Sequence, residues 1–110
     1  MFLLNAFSIN MLPVGSASVR FTDMSLADAR LHVALGFDSA VGHADTAAVF
    51  SEVLGVTVPC NRTSVSIPTR AYGLPAWCAL VGQYSGPRLP EGATTLPEGA
   101  SIRWVYVHVE

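Results

Sequence analysis

The stretch from Phe37 to Gly55 constrains this chain more than any other. A short apolar run, Phe37 to Val41, meets Gly42 and then His43. From Ala44 the period changes: Ala47, Phe50, Val53 and Leu54 share one helical face, and Gly55 closes the segment. A strand that turns directly into an amphipathic helix demands a sheet for that helix to pack on. The same junction has chemical consequences. The first backbone N–H groups of a helix lack intrahelical acceptors, and with the helix dipole they suit a phosphate or another anion. His43 falls at that junction, and an imidazole can move a proton near neutral pH.

The rest of the pattern extends this reading. Phe2 to Phe7 is expected as a buried first strand, and Ser8 to Pro13 as a loop. Ala17 to Phe21 alternates as a second strand. Ser25, with Asp28 three residues on, is a helix cap, so Leu26 to Leu35 is expected as a helix closed by Gly36. Asn61 to Ile67 alternates, with Val65 and Ile67 on one face. Trp77 to Val81 is a continuous apolar run that suits a central strand, and Ile102 to Val109 alternates strictly as the last strand. Gly82 to Gly99 is rich in Gly and Pro and reads as irregular. Within it Leu89-Pro90-Glu91-Gly92 recurs as Leu96-Pro97-Glu98-Gly99, too short a match to signal a repeat architecture. These elements predict an α/β fold: one mixed β-sheet flanked by helices, in a single domain spanning residues 1–110.

Composition narrows the functions open to the chain. It is 51% hydrophobic and 13% charged, which excludes disorder and hints at a surface buried against a partner. The net charge of −2 argues against broad nucleic-acid binding through a basic face. There is no Lys, and the six cations are Arg20, Arg30, Arg62, Arg70, Arg88 and Arg103. Cys60 and Cys78 are expected as free, buried thiols of a reducing cytoplasm. Met1 to Leu4 lacks the flanks and length of a signal peptide, and no run is long enough to span a membrane. There is no metal-ligand spacing, P-loop, dinucleotide fingerprint or serine-hydrolase elbow, so chemistry without metal or cofactor is expected.

Several polar residues are candidates for a site. Asn5 and Ser8 sit where the first strand ends, where side chains reach a ligand at a sheet edge; they serve equally as turn caps. His43 is either a proton donor at an anion site or a plain helix cap. Arg62 follows Pro59 and Asn61 at a strand start and suits phosphate. Gln83 closes the apolar run. Arg88 and Glu91 flank Leu89-Pro90 in a loop, as a site pair or as a surface contact of little energy. His32 and His108 read as structural or solvent-facing.

Four segments together resemble one family: Leu4 to Leu12 with its Asn-Ala-Phe-Ser core, Ser39 to Ala47 with Gly-His-x-x-Thr-Ala, Asn61-Arg62, and Arg88 to Gly92. They look like the viral type III anti-CRISPR ring nucleases and their cellular relatives. The resemblance implies a homodimer that binds cyclic tetra-adenylate. It further implies metal-independent cleavage to linear di-adenylates with 2′,3′-cyclic phosphate ends, which switches off type III CRISPR signalling. It places the key histidine at His43, the first-strand ligands at Asn5 and Ser8, the phosphate-binding Arg at Arg62, and the late Gln and Glu at Gln83 and Glu91. It implies that no metal is used; with the composition and the absent motifs, no cofactor, no DNA and no membrane are expected, in the cytoplasm of the producing or infected cell. The chain departs from that pattern in its shorter segment after Gly92 and in the insertion-like stretch Pro68 to Pro75. A sponge that holds a cyclic nucleotide without cutting it, or a dimeric module that binds a host protein, would use the same features differently.

Overall fold

The computed structural model describes residues 1–15, 17–69 and 76–110. The strands are β1 (Phe2–Leu4), β2 (Val19–Met24), β3 (Asp38–Ser39), β4 (Trp77–Ser85) and β5 (Ser101–Val109), and the helices are α1 (Leu26–Ala34) and α2 (Ala44–Leu54). One sheet contains all five strands, in the order β2-β5-β4-β1-β3. β1 runs parallel to both β3 and β4, whereas β5 is antiparallel to β4 and to β2. The expected α/β fold with a mixed sheet and flanking helices is what forms, and the apolar Trp77–Val81 run is the middle strand.

The two faces of the sheet are filled by different means. On one face Leu3, Leu80 and Trp104 meet Ala29 and Val33 of α1 and Ala47, Phe50 and Leu54 of α2. The Phe50 and Trp104 rings meet edge to face with centroids 5.0 Å apart. Gly82 lies beneath them; a Cβ there would come within 2.4 Å of Trp104 and 2.6 Å of Phe50. Only a residue without a side chain lets this aromatic pair pack so closely on β4. On the other face Leu4, Ala79, Val81, Val107 and Val109 are covered by Ile67, Met11 and Leu12, which belong to neither an α-helix nor a strand.

Several boundaries differ from the expected ones. The first strand stops at Leu4, because the backbone leaves the sheet at Asn5 and Ser8 caps a 3₁₀ turn, Ile9–Met11. The second strand begins at Val19 and reaches Met24, since β5 is long enough to pair with it from Val109 to Trp104. Asn61 to Ile67 is not a strand. Its ends hang on two isolated bonds, Asn61 N–H to the Val41 carbonyl and Ile67 N–H to the Met11 carbonyl. Its alternation serves to bury Ile67 and half-bury Val65. Gly82 to Ser85, read as irregular, continues β4 because Ser101 to Trp104 lie opposite it. Cys60 and Cys78 are free as expected, but Cys60 is exposed and Cys78 only half-buried. Of the stretch Pro68 to Pro75, residues 70–75 lie outside the described residues.

Candidate functional site

The parallel strands β1, β3 and β4 end on the same side of the molecule, and the chain leaving each of them builds a site. After β3, Ala40 to Gly42 lead to His43, which is extended (φ −121°, ψ 131°) and occupies the cap position of α2. Its side chain makes no capping bond. Ala47 donates the first intrahelical bond, to the His43 carbonyl. The amides of residues 44–46 therefore have no acceptor within the helix.

Arg62 is brought beside this start by a chain of hydrogen bonds. The Ser39 hydroxyl donates to the Pro59 carbonyl at 2.6 Å, and the Asn61 side-chain amide donates to the Ser39 carbonyl at 2.8 Å. Upstream, the Ser51 hydroxyl accepts the Val58 N–H at 2.9 Å. The result seats Arg62 against Gly42, where a Cβ would stand 3.5 Å from its Cγ.

After β4, the segment Gly86 to Gly92 bends over α2. The Tyr84 hydroxyl donates to the Pro87 carbonyl at its near end. At its far end the Gly92 N–H donates to the Asp45 carboxylate at 3.0 Å.

Three adjoining depressions result. The largest, about 830 Å³, brings His43 and Asp45 together with Tyr84, Arg88 and Glu91. A smaller one, about 230 Å³, holds His43, Asn5 and Arg62. A third, about 480 Å³, contains Asn5, Gln83, Phe21 and Arg103. His43 joins the first to the second, and Asn5 joins the second to the third.

The structure thus places His43, Asn5, Arg62 and Glu91 along neighbouring depressions that share His43 and Asn5 as lining residues, with Gln83 in the one on the sheet face away from the helices. Ser8 lines none of these three depressions; its hydroxyl accepts the Asn10 N–H at 3.2 Å as a turn cap. Asp45 and Tyr84, neither among the candidates read from the sequence, line the first depression as well. The one sequence sign of them was the punctuated loop that both hold.

Charge along these depressions is uneven. Arg62 and Arg88 are exposed and form no hydrogen bond or ion pair among the described residues. Arg103 is committed to Asp23, with Nε–Oδ1 at 2.8 Å. The hydrogen bond and charge of Arg103 hold the Asp23 carboxyl below its ordinary range. No group of three or more His, Cys, Asp or Glu able to hold a metal occurs among the described residues. Nor is any described helix long and apolar enough to cross a membrane.

The class so defined is a small α/β protein with an arginine-lined groove at the ends of its parallel strands. The model of the STIV B116-like family matches residues 1–100, so the chain belongs to that family, which is named for a viral protein. Among solved structures it is similar to B116 of Sulfolobus turreted icosahedral virus. The two share 27% identity over 96% of each chain, with a TM-score of 0.78. No curated protein sequence matches the chain. The expected membership of the anti-CRISPR ring nuclease family is thereby corrected: the matching family is STIV B116-like, over nearly the whole length, and neither comparison points to ring nucleases. The short segments behind that expectation coincide with the depressions around His43.

Proposed function

We propose that the groove binds cyclic tetra-adenylate and cuts it, without a metal, into linear di-adenylates with 2′,3′-cyclic phosphate ends. The observation that carries this reading is the position of His43, one imidazole shared by a depression containing Asn5 and Arg62 and by another containing Arg88 and Glu91. A phosphodiester laid across it meets guanidinium groups on both sides and the free amides of α2 at its centre. Guanidinium forks and helix amides both favour phosphate oxygens.

The chemistry needs little more. A ribose 2′-OH next to a phosphodiester is an internal nucleophile, and holding it in line with the 5′-oxygen makes attack effectively unimolecular. The 2′-O–P bond forms, the P–O5′ bond breaks, and the 2′-OH proton passes to water. The His43 imidazolium delivers a proton to the departing 5′-oxygen. Arg88 and the α2 amides stabilise charge on the phosphorane, and Arg62 holds the phosphate in place. Asn5 orients the ribose by hydrogen bonding, and Gln83 and Glu91 contact the ligand farther out.

Two such subunits suit a four-fold ring, each presenting one His43 to opposite phosphodiesters. Phe21, 59% exposed beside Phe7 on the uncovered part of the sheet, supports a second copy covering that face. Cutting the ring would end signalling by a type III CRISPR system in the cytoplasm of the producing or infected cell.

The test is incubation with cyclic tetra-adenylate in EDTA, followed by product separation and a binding measurement. Two di-adenylates with cyclic phosphate ends are expected. Binding without cleavage would make the protein a sponge, and neither would turn attention to a host-protein partner.

A further inference from the structure

Two turns of this protein have the same sequence and the same shape, yet the glycine amide of only one of them has an acceptor among the described residues. Leu-Pro-Glu-Gly-Ala occurs at residues 89–93 and again at 96–100. Ala93 N–H bonds the Pro90 carbonyl at 3.0 Å, and Ala100 N–H bonds the Pro97 carbonyl at 3.1 Å. Gly92 and Gly99 both have φ of +80°. Each is therefore a turn with glycine at its third position, where positive φ requires it. The amide of that glycine takes no part in the turn's own closing bond. At Gly99 it has no acceptor among the described residues. At Gly92 it donates to Asp45 at 3.0 Å, across 47 residues of sequence.

This bond joins the turn to the second residue of α2. Arg88 and Glu91 sit between it and the Tyr84–Pro87 anchor, so both ends of the segment that lines the His43 groove are fixed.

We infer that Asp45 is a positioning residue: through the Gly92 amide it latches the Arg88–Glu91 segment over the start of α2 and so sets how that segment meets a ligand at His43. This rests on reading the His43 groove as the site. Asp45 acts through the loop and takes no part in the chemistry. What the latch requires of it is an acceptor oxygen. A negative charge at a helix start is stabilising in its own right, so the two roles have to be separated.

Asp45→Asn keeps an acceptor and removes the charge, whereas Asp45→Ala removes both. Amide exchange followed by NMR reads the latch directly, with Gly99 as the internal reference. In Asp45→Ala, Gly92 is expected to exchange as fast as Gly99, while in Asp45→Asn it stays protected. Unchanged protection in Asp45→Ala overturns the latch.

With cyclic tetra-adenylate, Asp45→Ala is expected to raise KM about tenfold with kcat nearly kept, and Asp45→Asn to restore KM. Equal loss in both variants would assign the effect to charge at the helix start and overturn the proposal. A collapse of kcat alone would place Asp45 among the reacting groups and overturn it as well. Should the unsubstituted protein leave the ring uncut, the proposed activity fails, and the exchange measurement still decides the latch.

Discussion

The two helices begin in opposite ways. α1 is closed: the Ser25 hydroxyl accepts the Asp28 N–H at 3.1 Å, an ordinary cap. α2 is open: His43 stands in the cap position and bonds none of the amides in front of it. The bodies of the helices differ in the reverse sense. α1 buries only Ala29 and Val33, whereas α2 buries Ala47, Val49, Phe50 and Leu54. A helix anchored so firmly along its length tolerates an unsatisfied start, and one held by two small side chains leans on its cap. Arg30 adds a tie between them, its guanidinium donating to the Val53 carbonyl at 2.9 Å. That bond satisfies one carbonyl at the far end of α2.

The largest effect on the open start of α2 is expected from His43→Ala. On the reading proposed here it removes the proton donor and lowers the single-turnover rate of ring cleavage by roughly 10²–10⁴-fold. It removes no capping bond, so thermal unfolding should not move to lower temperature. Ligand binding should survive through Arg62, Arg88 and Asn5. Cleavage at the unsubstituted rate would return His43 to a purely structural place at the helix start.

Arg62→Ala comes next. A hydrogen bond to a charged group contributes about 1.5–3 kcal/mol, so affinity for the cyclic ligand should fall roughly 10–100-fold. The rate at saturation should change little, because a guanidinium that grips the ground state and the transition state alike sets binding and not chemistry. Titration calorimetry beside single-turnover kinetics separates the two. A lost rate with intact affinity would move Arg62 to transition-state stabilisation.

Gly82→Ala tests the anchor that lets α2 stay open. The new methyl would meet the Phe50 and Trp104 rings at distances no packed core accepts. Overpacking of this kind costs about 1–3 kcal/mol. Chemical denaturation should show that loss, with cleavage by the folded fraction near normal. No loss would mean that the two rings have room to give.

Much of this arrangement was legible in the sequence, and the parts that were not share a cause. α2 was readable to the residue, since its helical face, its Gly55 stop and its Gly42-His43 entry are all local signals. The Ser25 cap was readable for the same reason. Asn61 to Ile67 misled because alternation reports which side chains are buried, not whether a neighbouring strand offers a ladder. The extension of β4 through Gly82 was hidden because Gly reads as a breaker until the aromatic pair above it is known. Asn5, His43, Arg62 and Glu91 were named as candidates from residue type and place. Their placement along neighbouring depressions depends on Ser39, Asn61 and Asp45, whose bonds span 20 or more residues. No local pattern encodes such bonds.

Ser25→Ala probes the closed helix. Loss of a serine cap costs about 0.5–2 kcal/mol, and the thinly anchored α1 should sit toward the upper part of that range. Cleavage should be untouched, since α1 lines none of the groove. A melting temperature equal to the unsubstituted protein's would show that α1 is held by something other than its cap.

The smallest expected effect runs in the opposite direction. His43→Ser places a good cap where none acts now, with His43 already in the extended conformation that a cap requires (φ −121°, ψ 131°). A serine hydroxyl there can accept from the Asp45 or Thr46 amide, as Ser25 accepts from Asp28. The gain should be about 0.5–1 kcal/mol, a rise of a few degrees in melting temperature. The same hydroxyl would take an amide that the proposed ligand needs, and the proton donor would be gone. A variant more stable than its parent and unable to cut the ring is therefore expected, the usual form of a conflict between stability and function. Differential scanning calorimetry with the cleavage assay decides it. A serine variant no more stable than His43→Ala would show that the start of α2 is not short of a cap, and that the contrast between the two helices lies in their bodies alone.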